Sequence, residues 1–136
     1  MKKTVFLLLC VISLKAQTIK SSGTYFIDGV NDKGWSNTNG DGFTSAKFKS
    51  YSGTSYVIIE VTKDATVNFK ANSQLKAGEL EFKLIDEQDN EYFRCKTTNA
   101  CELTKEVKLV KNHKYKLLMK GEYARGTYQA NWEITN

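Results

Sequence analysis

The sequence predicts an all-β protein: a two-sheet antiparallel sandwich, jelly-roll-like in its course, with eight or nine short strands. From residue 55 onwards, apolar and polar residues alternate with a period of two, which is typical of strands buried on one face. Turn-forming residues interrupt this alternation at regular intervals, and no segment shows the periodicity of a helix. These observations favour a sandwich, with a closed barrel as the alternative.

Nine segments are predicted to be strands: residues 24–28, 43–48, 55–61, 65–71, 79–85, 91–97, 106–110, 114–120 and 127–134. Residues 55–61 are apolar on both faces, which predicts a central position. The last two segments are predicted to form a hairpin that turns over residues 121–126, with Lys120 opposite Thr127. This register buries Trp132 and leaves Glu133 on the outer face.

Residues 1–16 have the three parts of a secretory signal peptide. Met1-Lys2-Lys3 forms a cationic head, residues 5–14 are mainly apolar, and Ala16 is a small exit residue. The sequence therefore predicts one mature β-sandwich domain, residues 17–136, exported from a bacterial cell and without a transmembrane segment. A buried N-terminal strand is one alternative. Lipoprotein processing at Cys10 is another, although the residues before Cys10 are three leucines.

The charge balance argues against nucleic-acid binding. Removal of residues 1–16 takes away three lysines, so 20 basic residues become 17 against 15 acidic ones, and a net charge of +5 becomes +2. A nucleic-acid partner would need a denser basic stripe. Six lysines between residues 105 and 120 could meet an anionic glycan or lipid. They could equally pair with the acidic strand at residues 79–91, or only keep an exposed sheet from aggregating.

Two cysteines remain in the predicted mature chain. Cys95 and Cys101 are six residues apart, so in an exported domain they can close a small disulfide loop. A free, buried pair is the alternative. A zinc site is disfavoured because zinc sites take four ligands at recognisable spacings, and His113 is the one histidine of the chain.

Residues 28–42 interrupt the strand pattern with a long polar stretch, which predicts a loop. Asn37, Asn39 and Asp41 followed by Gly42 match the start of an EF-hand calcium loop, but position twelve is Phe48 where a glutamate is expected. A looser calcium site is the remaining metal alternative, with candidate ligands Asp28, Asp32, Asn39 and Asp41. The preferred interpretation is that these residues supply turns, so we expect neither a metal ion nor a cofactor.

Trp35 lies in the same polar stretch. An aromatic ring there is suited to stacking on a sugar ring, and Asn37, Asn39 and Asp41 could bind sugar hydroxyls. These four residues are the candidate ligand-binding set. The alternative is that Trp35 folds back to cap the core.

Catalysis finds little support in the sequence. A hydrolase triad needs a base near a nucleophile, and His113 lies at an apparent turn. A glycosidase needs only two carboxylates, but the acidic residues between 79 and 91 fall on exposed faces and a turn. We therefore expect no enzymatic activity.

Three segments of the second half resemble a known family: residues 75–91, with the run Leu-Ile-Asp-Glu-Gln-Asp-Asn, then 114–121 and 126–134. They are similar, over residues 65–134, to the prepeptidase C-terminal domains of secreted bacterial enzymes, which are small jelly-roll sandwiches. Asn90 replaces the turn glycine of that family, and its calcium residues have no counterparts here. The tetrapeptide Leu-Lys-Ala-Gln at 14–17 also resembles the signal endings of Bacteroidetes exports. The first resemblance implies a non-catalytic module, often one that binds carbohydrate or matrix.

Together these features predict a secreted or surface-associated binding module, with a glycan or a cell-envelope component as its partner. An accessory protein that binds another protein is the first alternative. A small hydrolase with a carboxylate pair is the second. The oligomeric state is left open.

Overall fold

The computed structural model describes residues 19–27 and 31–135. The predicted signal peptide, the alternative processing at Cys10 and the candidate ligand Asp28 lie outside these residues. Within the described part, the strands are β1 (Ile19–Phe26), β2 (Asn31–Lys33), β3 (Ser36–Gly40), β4 (Phe43–Val61), β5 (Ala65–Ile85), β6 (Glu91–Thr97), β7 (Ala100–Leu109) and β8 (Lys114–Ile134). The predicted all-β class is confirmed.

The strands form two facing layers, as predicted, but all pairings are antiparallel and join one continuous hydrogen-bonded sheet. In the front layer the order is β3–β4–β8–β5–β7, using residues 43–48, 126–134 and 65–75 of the three shared strands. In the back layer the order is β1–β4–β8–β5–β6, using residues 53–61, 114–121 and 79–85. The chain passes repeatedly from one layer to the other, so the jelly-roll-like sandwich is confirmed.

The prediction that every strand is short is wrong for β4, β5 and β8. These strands have 19, 21 and 21 residues, and each joins two segments that the sequence pattern separates. The predicted hairpin over residues 121–126 is therefore wrong, because this stretch continues β8 and pairs with β4 and β5. Lys120 lies opposite Thr54 and Glu81, not opposite Thr127.

The three long strands bend where they pass from one layer to the other. Four glycines lie in this region, which we call the crease: Gly53, Gly78, Gly121 and Gly126. Gly53 lies opposite Gly121 on the neighbouring strand, and the register of both neighbours of β8 shifts nearby. A Cβ at Gly121 would overlap the ring of Tyr51, and a Cβ at Gly126 would overlap the carbonyl oxygen of Gln74. Glycine is required because backbone and ring approach too closely for any side chain.

One core fills the space between the layers. Phe82 of the back layer contacts Tyr128 of the front layer edge-on, with ring centroids 5.9 Å apart. Phe69 and Phe93 make a second ring contact across the layers at 5.4 Å. Trp132 is 3% exposed, so the prediction that it belongs to the core is confirmed.

The predicted polar loop is partly wrong, because residues 31–33 and 36–40 form β2 and β3 along the edge of β4. Its asparagines and glycines do not prevent pairing there. The main-chain groups of β4 offer hydrogen-bond partners that outweigh the poor strand propensity of these residues. As a result, the stretch contributes the edge of the front layer.

Candidate functional site

Where β3, β4, β8 and β5 lie side by side, most side chains on the outer face of the front layer are polar and uncharged. Alternation along each strand turns every second residue outwards. Two rows cross the four strands: Thr38, Ser45, Gln129 and Asn72 form one, and Ser36, Lys47, Thr127 and Gln74 form the other. Each row spans about 14 Å, because neighbouring strands are about 4.8 Å apart.

These two rows line a groove of about 540 Å³, which we call the polar groove. Of the eight side chains in the two rows, seven end in a hydroxyl or an amide, and Lys47 contributes an ammonium group. Within the described residues, Gln129 Nε2 donates to Asn131 Oδ1 at 3.3 Å, while the other amides and hydroxyls of the two rows have no hydrogen-bond partner. Their donors and acceptors are therefore available to a ligand.

A second depression of about 630 Å³ continues the polar groove towards the crease, and we call it the basic groove. The two share Lys47, Gln74 and Thr127. The basic groove adds three further cations, which are Lys49, Lys76 and Arg125. Its apolar lining comes from Phe48, Leu75, Ala100 and Gly126. The two volumes lie within the range of about 300–1,000 Å³ that is common for ligand sites.

The disulfide loop forms one wall of the basic groove. The structure joins Cys95 and Cys101 by a disulfide, with their Cα atoms 6.4 Å apart. Asn99 of this loop accepts a hydrogen bond from the backbone N–H of Leu75 at 2.7 Å, and Asn99 lines the groove. A covalent closure and a backbone hydrogen bond therefore hold this wall against β5.

Trp35 lies in an aromatic cluster and does not line either groove. Its ring stacks on Phe48 with centroids 5.8 Å apart and contacts Tyr51 at 5.0 Å. Phe26 and Tyr128 also contact it, at 5.5 and 5.9 Å. This geometry favours the alternative in which Trp35 caps the core, while its role in ligand binding stays a prediction.

Asn37 and Asn39 alternate with the groove residues of β3 and turn towards β1. Asn37 Nδ2 donates to Thr24 Oγ1 at 3.1 Å, and Asn39 Nδ2 donates to the carbonyl oxygen of Gly23 at 2.8 Å. These bonds connect the front and back layers at their edge. The structure therefore gives both amides a partner in the protein. It also brings members of the predicted ligand set together, because Trp35 Nε1 donates to Asn37 Oδ1 at 3.2 Å and both amides donate to Thr24 Oγ1. Asn39 and Asp41 line one small depression at this edge, and ligand binding by the set stays a prediction.

The other residues of the weak calcium alternative are spread along the edge. Asp32 lies on β2 opposite Tyr51, and Asp41 lies in the turn between β3 and β4. Within residues 19–27 and 31–135, no three His, Cys, Asp or Glu residues are grouped so as to hold a metal ion. The same residues contain no helix with the length and hydropathy of a membrane span.

The back layer carries an aromatic pair on its outer face. The rings of Tyr25 and Tyr56 lie 5.3 Å apart, and the Lys116 ammonium lies 4.9 Å from the centroid of the Tyr56 ring. Tyr25 is 43% exposed. This pair is a second surface on which a ring could stack, and no sequence signal could have paired two residues so far apart.

Sequence reasoning missed the groove as a unit. The alternation of residues 127–134 places Thr127, Gln129 and Asn131 on an outer face, which the structure confirms. Their neighbours on β3, β4 and β5 are set by strand order, and strand order is not readable from alternation. The available signal in the sequence was that the outward residues of this segment are polar and uncharged, which is suited to hydrogen bonding with a ligand.

Solved structures of similar fold include carbohydrate-binding modules. The structure titled "CBM4 structure and function" is 14% identical, with a TM-score of 0.44, over 86% of this chain and 83% of that one. TmCBM61 in complex with β-1,4-galactotriose is 12% identical, with a TM-score of 0.44, over 86% and 88%. A cycloisomaltooligosaccharide glucanotransferase of Paenibacillus sp. is 10% identical, with a TM-score of 0.42, over 83% of this chain and 18% of that one.

No family model and no curated protein matches the chain. The resemblance to prepeptidase C-terminal domains therefore stays a prediction. At these identities and TM-scores, no ligand and no binding residue is transferred from the similar structures.

Proposed function

We propose that the protein is a non-catalytic module that binds a glycan chain along the polar groove. The observation that carries the proposal is the groove itself: seven hydroxyl and amide side chains from four strands, most without a partner in the described residues. Sugars present many hydroxyls, each both a donor and an acceptor, and amides and hydroxyls match both roles. The groove is open along the layer, so it suits a chain better than a single small molecule.

The rigid position of the groove residues also supports binding. All eight side chains of the two rows stand on paired strands, so little conformational entropy is lost when they contact a ligand. Directly beneath them lie Ala46 and Tyr128, which are 5% and 1% exposed. The floor is therefore part of the close-packed core.

A glycan array and affinity electrophoresis test the proposal. We expect wild type to bind at least one polysaccharide, and Asn72→Ala/Gln129→Ala to weaken that binding about tenfold or more, since each loses a polar contact. Gln88→Ala is the matched control, because Gln88 is an exposed amide in the turn between β5 and β6.

Two outcomes would overturn the proposal. The first is wild-type protein that binds no glycan. The second is groove variants that bind as wild type does while Tyr56→Ala loses binding, which would move the site to the back layer. Thermal melting of each variant separates lost binding from lost folding.

The proposal includes export from a bacterial cell. Its support is the cationic, apolar and small-residue order of residues 1–16. Expression of the full chain in a bacterium, followed by N-terminal sequencing of the exported fraction, tests it. We expect the mature chain to begin at Gln17. Lipid-modified Cys10 as the first residue, or an uncleaved cytoplasmic chain, would contradict this.

A further inference from the structure

We propose that the glycan is acidic, and that the basic groove binds the carboxylate or sulfate group on its sugar rings. This inference rests on the proposed function, because the basic groove continues the polar groove through Lys47, Gln74 and Thr127. It adds the chemical class of the ligand, which the polar groove alone does not define.

The first argument is the charge of the lining. Lys47, Lys49, Lys76 and Arg125 surround the basic groove, and no carboxylate lines it. The ion pairs among the described residues involve Arg94 and Lys96 of β6, and neither residue lines the groove. The four cations of the groove therefore have no acidic partner in the part of the chain that the structure describes.

Four like charges around one depression repel one another, and they raise the potential inside it. An anion placed there interacts favourably with all four. Arg125 can also hold a carboxylate or a sulfate through two parallel hydrogen bonds, which a lysine cannot. The groove is thus suited to an anionic group of fixed planar or tetrahedral shape.

The second argument is the apolar floor beneath the charges. The accessible part of this floor is Ala100, which is exposed, and Gly126, which is half-buried and has no side chain. Phe48 and Leu75 contribute little accessible surface, because they are 2% and 8% exposed. The C–H face of a sugar ring can lie on such a floor while its acidic substituent reaches the cations. An inorganic anion would use the charges but not the floor.

The third argument is that the polar groove lacks an exposed aromatic ring. Its lining residues include one aromatic, Tyr128, whose side chain is 1% exposed and lies in the core. Without a stacking platform, binding depends on neutral hydrogen bonds, which contribute little net free energy in water. Charged contacts are stronger, so the basic groove supplies the affinity that the polar groove lacks.

The experiment compares ligands that differ only in charge. Polygalacturonate and its fully methyl-esterified form share one backbone, and dextran sulfate and dextran form a second pair. Polyglutamate is a polyanion without sugar. Binding is measured by affinity electrophoresis and titration calorimetry, at low and at physiological salt.

We expect at least one charged member to bind more tightly than its neutral partner, with binding that weakens as salt rises. Lys76→Gln/Arg125→Gln should weaken this binding about tenfold or more. Lys63→Gln/Lys111→Gln is the control for net charge, since both lysines are exposed, lie in turns and line neither groove. It should bind as wild type does.

The pattern of preference identifies the group: polygalacturonate indicates a carboxylate and dextran sulfate a sulfate. Equal binding of charged and neutral partners, or wild-type binding by Lys76→Gln/Arg125→Gln, would overturn the acidic ligand and leave the proposed function standing. Equally tight binding of polyglutamate would also overturn it, because the sugar would then be irrelevant. Failure of every glycan here and on the array would overturn both proposals.

Discussion

Trp132 connects β8 to the turn between β3 and β4. Its Nε1 donates to the carbonyl oxygen of Asp41 at 2.8 Å, and its backbone N–H donates to that of Gly42 at 2.9 Å. Trp132→Ala should lower the free energy of unfolding by about 3–5 kcal/mol, because it leaves a large cavity and removes the hydrogen bond to Asp41. Urea denaturation measures this. Glu133→Ala, an exposed neighbour, should cost less than about 0.5 kcal/mol. Equal effects of the two would show that Trp132 is not in the core.

Asp86 organises the turn after β5. Burial opposes its ionisation, but hydrogen bonds from the Asn90 side chain, the Tyr92 hydroxyl and the backbone N–H groups of Asn90 and Gln88 outweigh burial and lower its pKa from 3.8 to about 2. The Tyr92 hydroxyl donates at 2.8 Å, and this bond is the main reason that the pKa of Tyr92 rises to about 12. The carboxylate therefore stabilises the turn only while it is ionised.

This arrangement predicts an acid-dependent loss of stability. The lowered pKa means that the contribution of Asp86 is fully present above about pH 4 and is lost as the pH falls towards about 2. The melting temperature of Asp86→Asn should therefore fall less than that of wild type between pH 5 and pH 2. Asp89→Asn, an exposed carboxylate in the same turn, is the control and should follow wild type. Parallel curves for Asp86→Asn and wild type would contradict the assignment.

At the scale of the strand, the glycines of the crease allow the long strands to bend. Gly126 has a φ of +146°, and a Cβ there would overlap the Gln74 carbonyl oxygen. Gly126→Ala should therefore destabilise the protein by about 2 kcal/mol or more, through backbone strain and overlap. Gly42→Ala is the matched control, because its nearest neighbour would be the Trp132 carbonyl oxygen at 3.2 Å. Thermal and urea unfolding compare them. Similar losses for both variants would mean that the crease does not require glycine.

Buried hydroxyls reinforce the same bend. The Tyr51 hydroxyl donates to the carbonyl oxygen of Met119 and accepts from the backbone N–H of Ser55 at 2.7 Å. Burial raises the pKa of Tyr51 to about 12, so the hydroxyl keeps its proton at physiological pH. The ring of Tyr51 also fills the space that Gly121 leaves empty. The bend is therefore held by packing and hydrogen bonds together.

At the scale of the whole molecule, β4, β5 and β8 run through both layers. If one layer unfolds, the other layer loses its pairing as well, because the two layers share these three strands. We expect one cooperative unfolding transition, with a calorimetric enthalpy equal to the van't Hoff enthalpy. Circular dichroism and tryptophan fluorescence should report the same midpoint. Two separate transitions would show that the layers unfold independently.

Local pattern was sufficient to predict much of this protein. The alternation of residues 79–85, 114–120 and 127–134 predicted which side chains are buried, since the side-chain period of a strand does not depend on its neighbours. The burial of Trp132 and the outward position of Gln129 follow from it. The class of the fold follows as well, because half-buried strands without helices have few ways to cover their apolar faces.

Only the tertiary structure decided whether residues 121–126 form a hairpin turn or continue β8 through a bend. Residues 121–126 contain the glycines of a turn, yet they pair with β4 and β5, and a glycine suits either outcome. Strand order then assembled both grooves, placing Lys47 of β4, Gln74 of β5 and Thr127 of β8 side by side. Their contact depends on main-chain hydrogen bonds between segments distant in the chain. Those bonds have no local signature in the sequence. The sequence by itself therefore determined which side chains of each strand face outwards, and the tertiary structure determined which of them lie together in the two grooves.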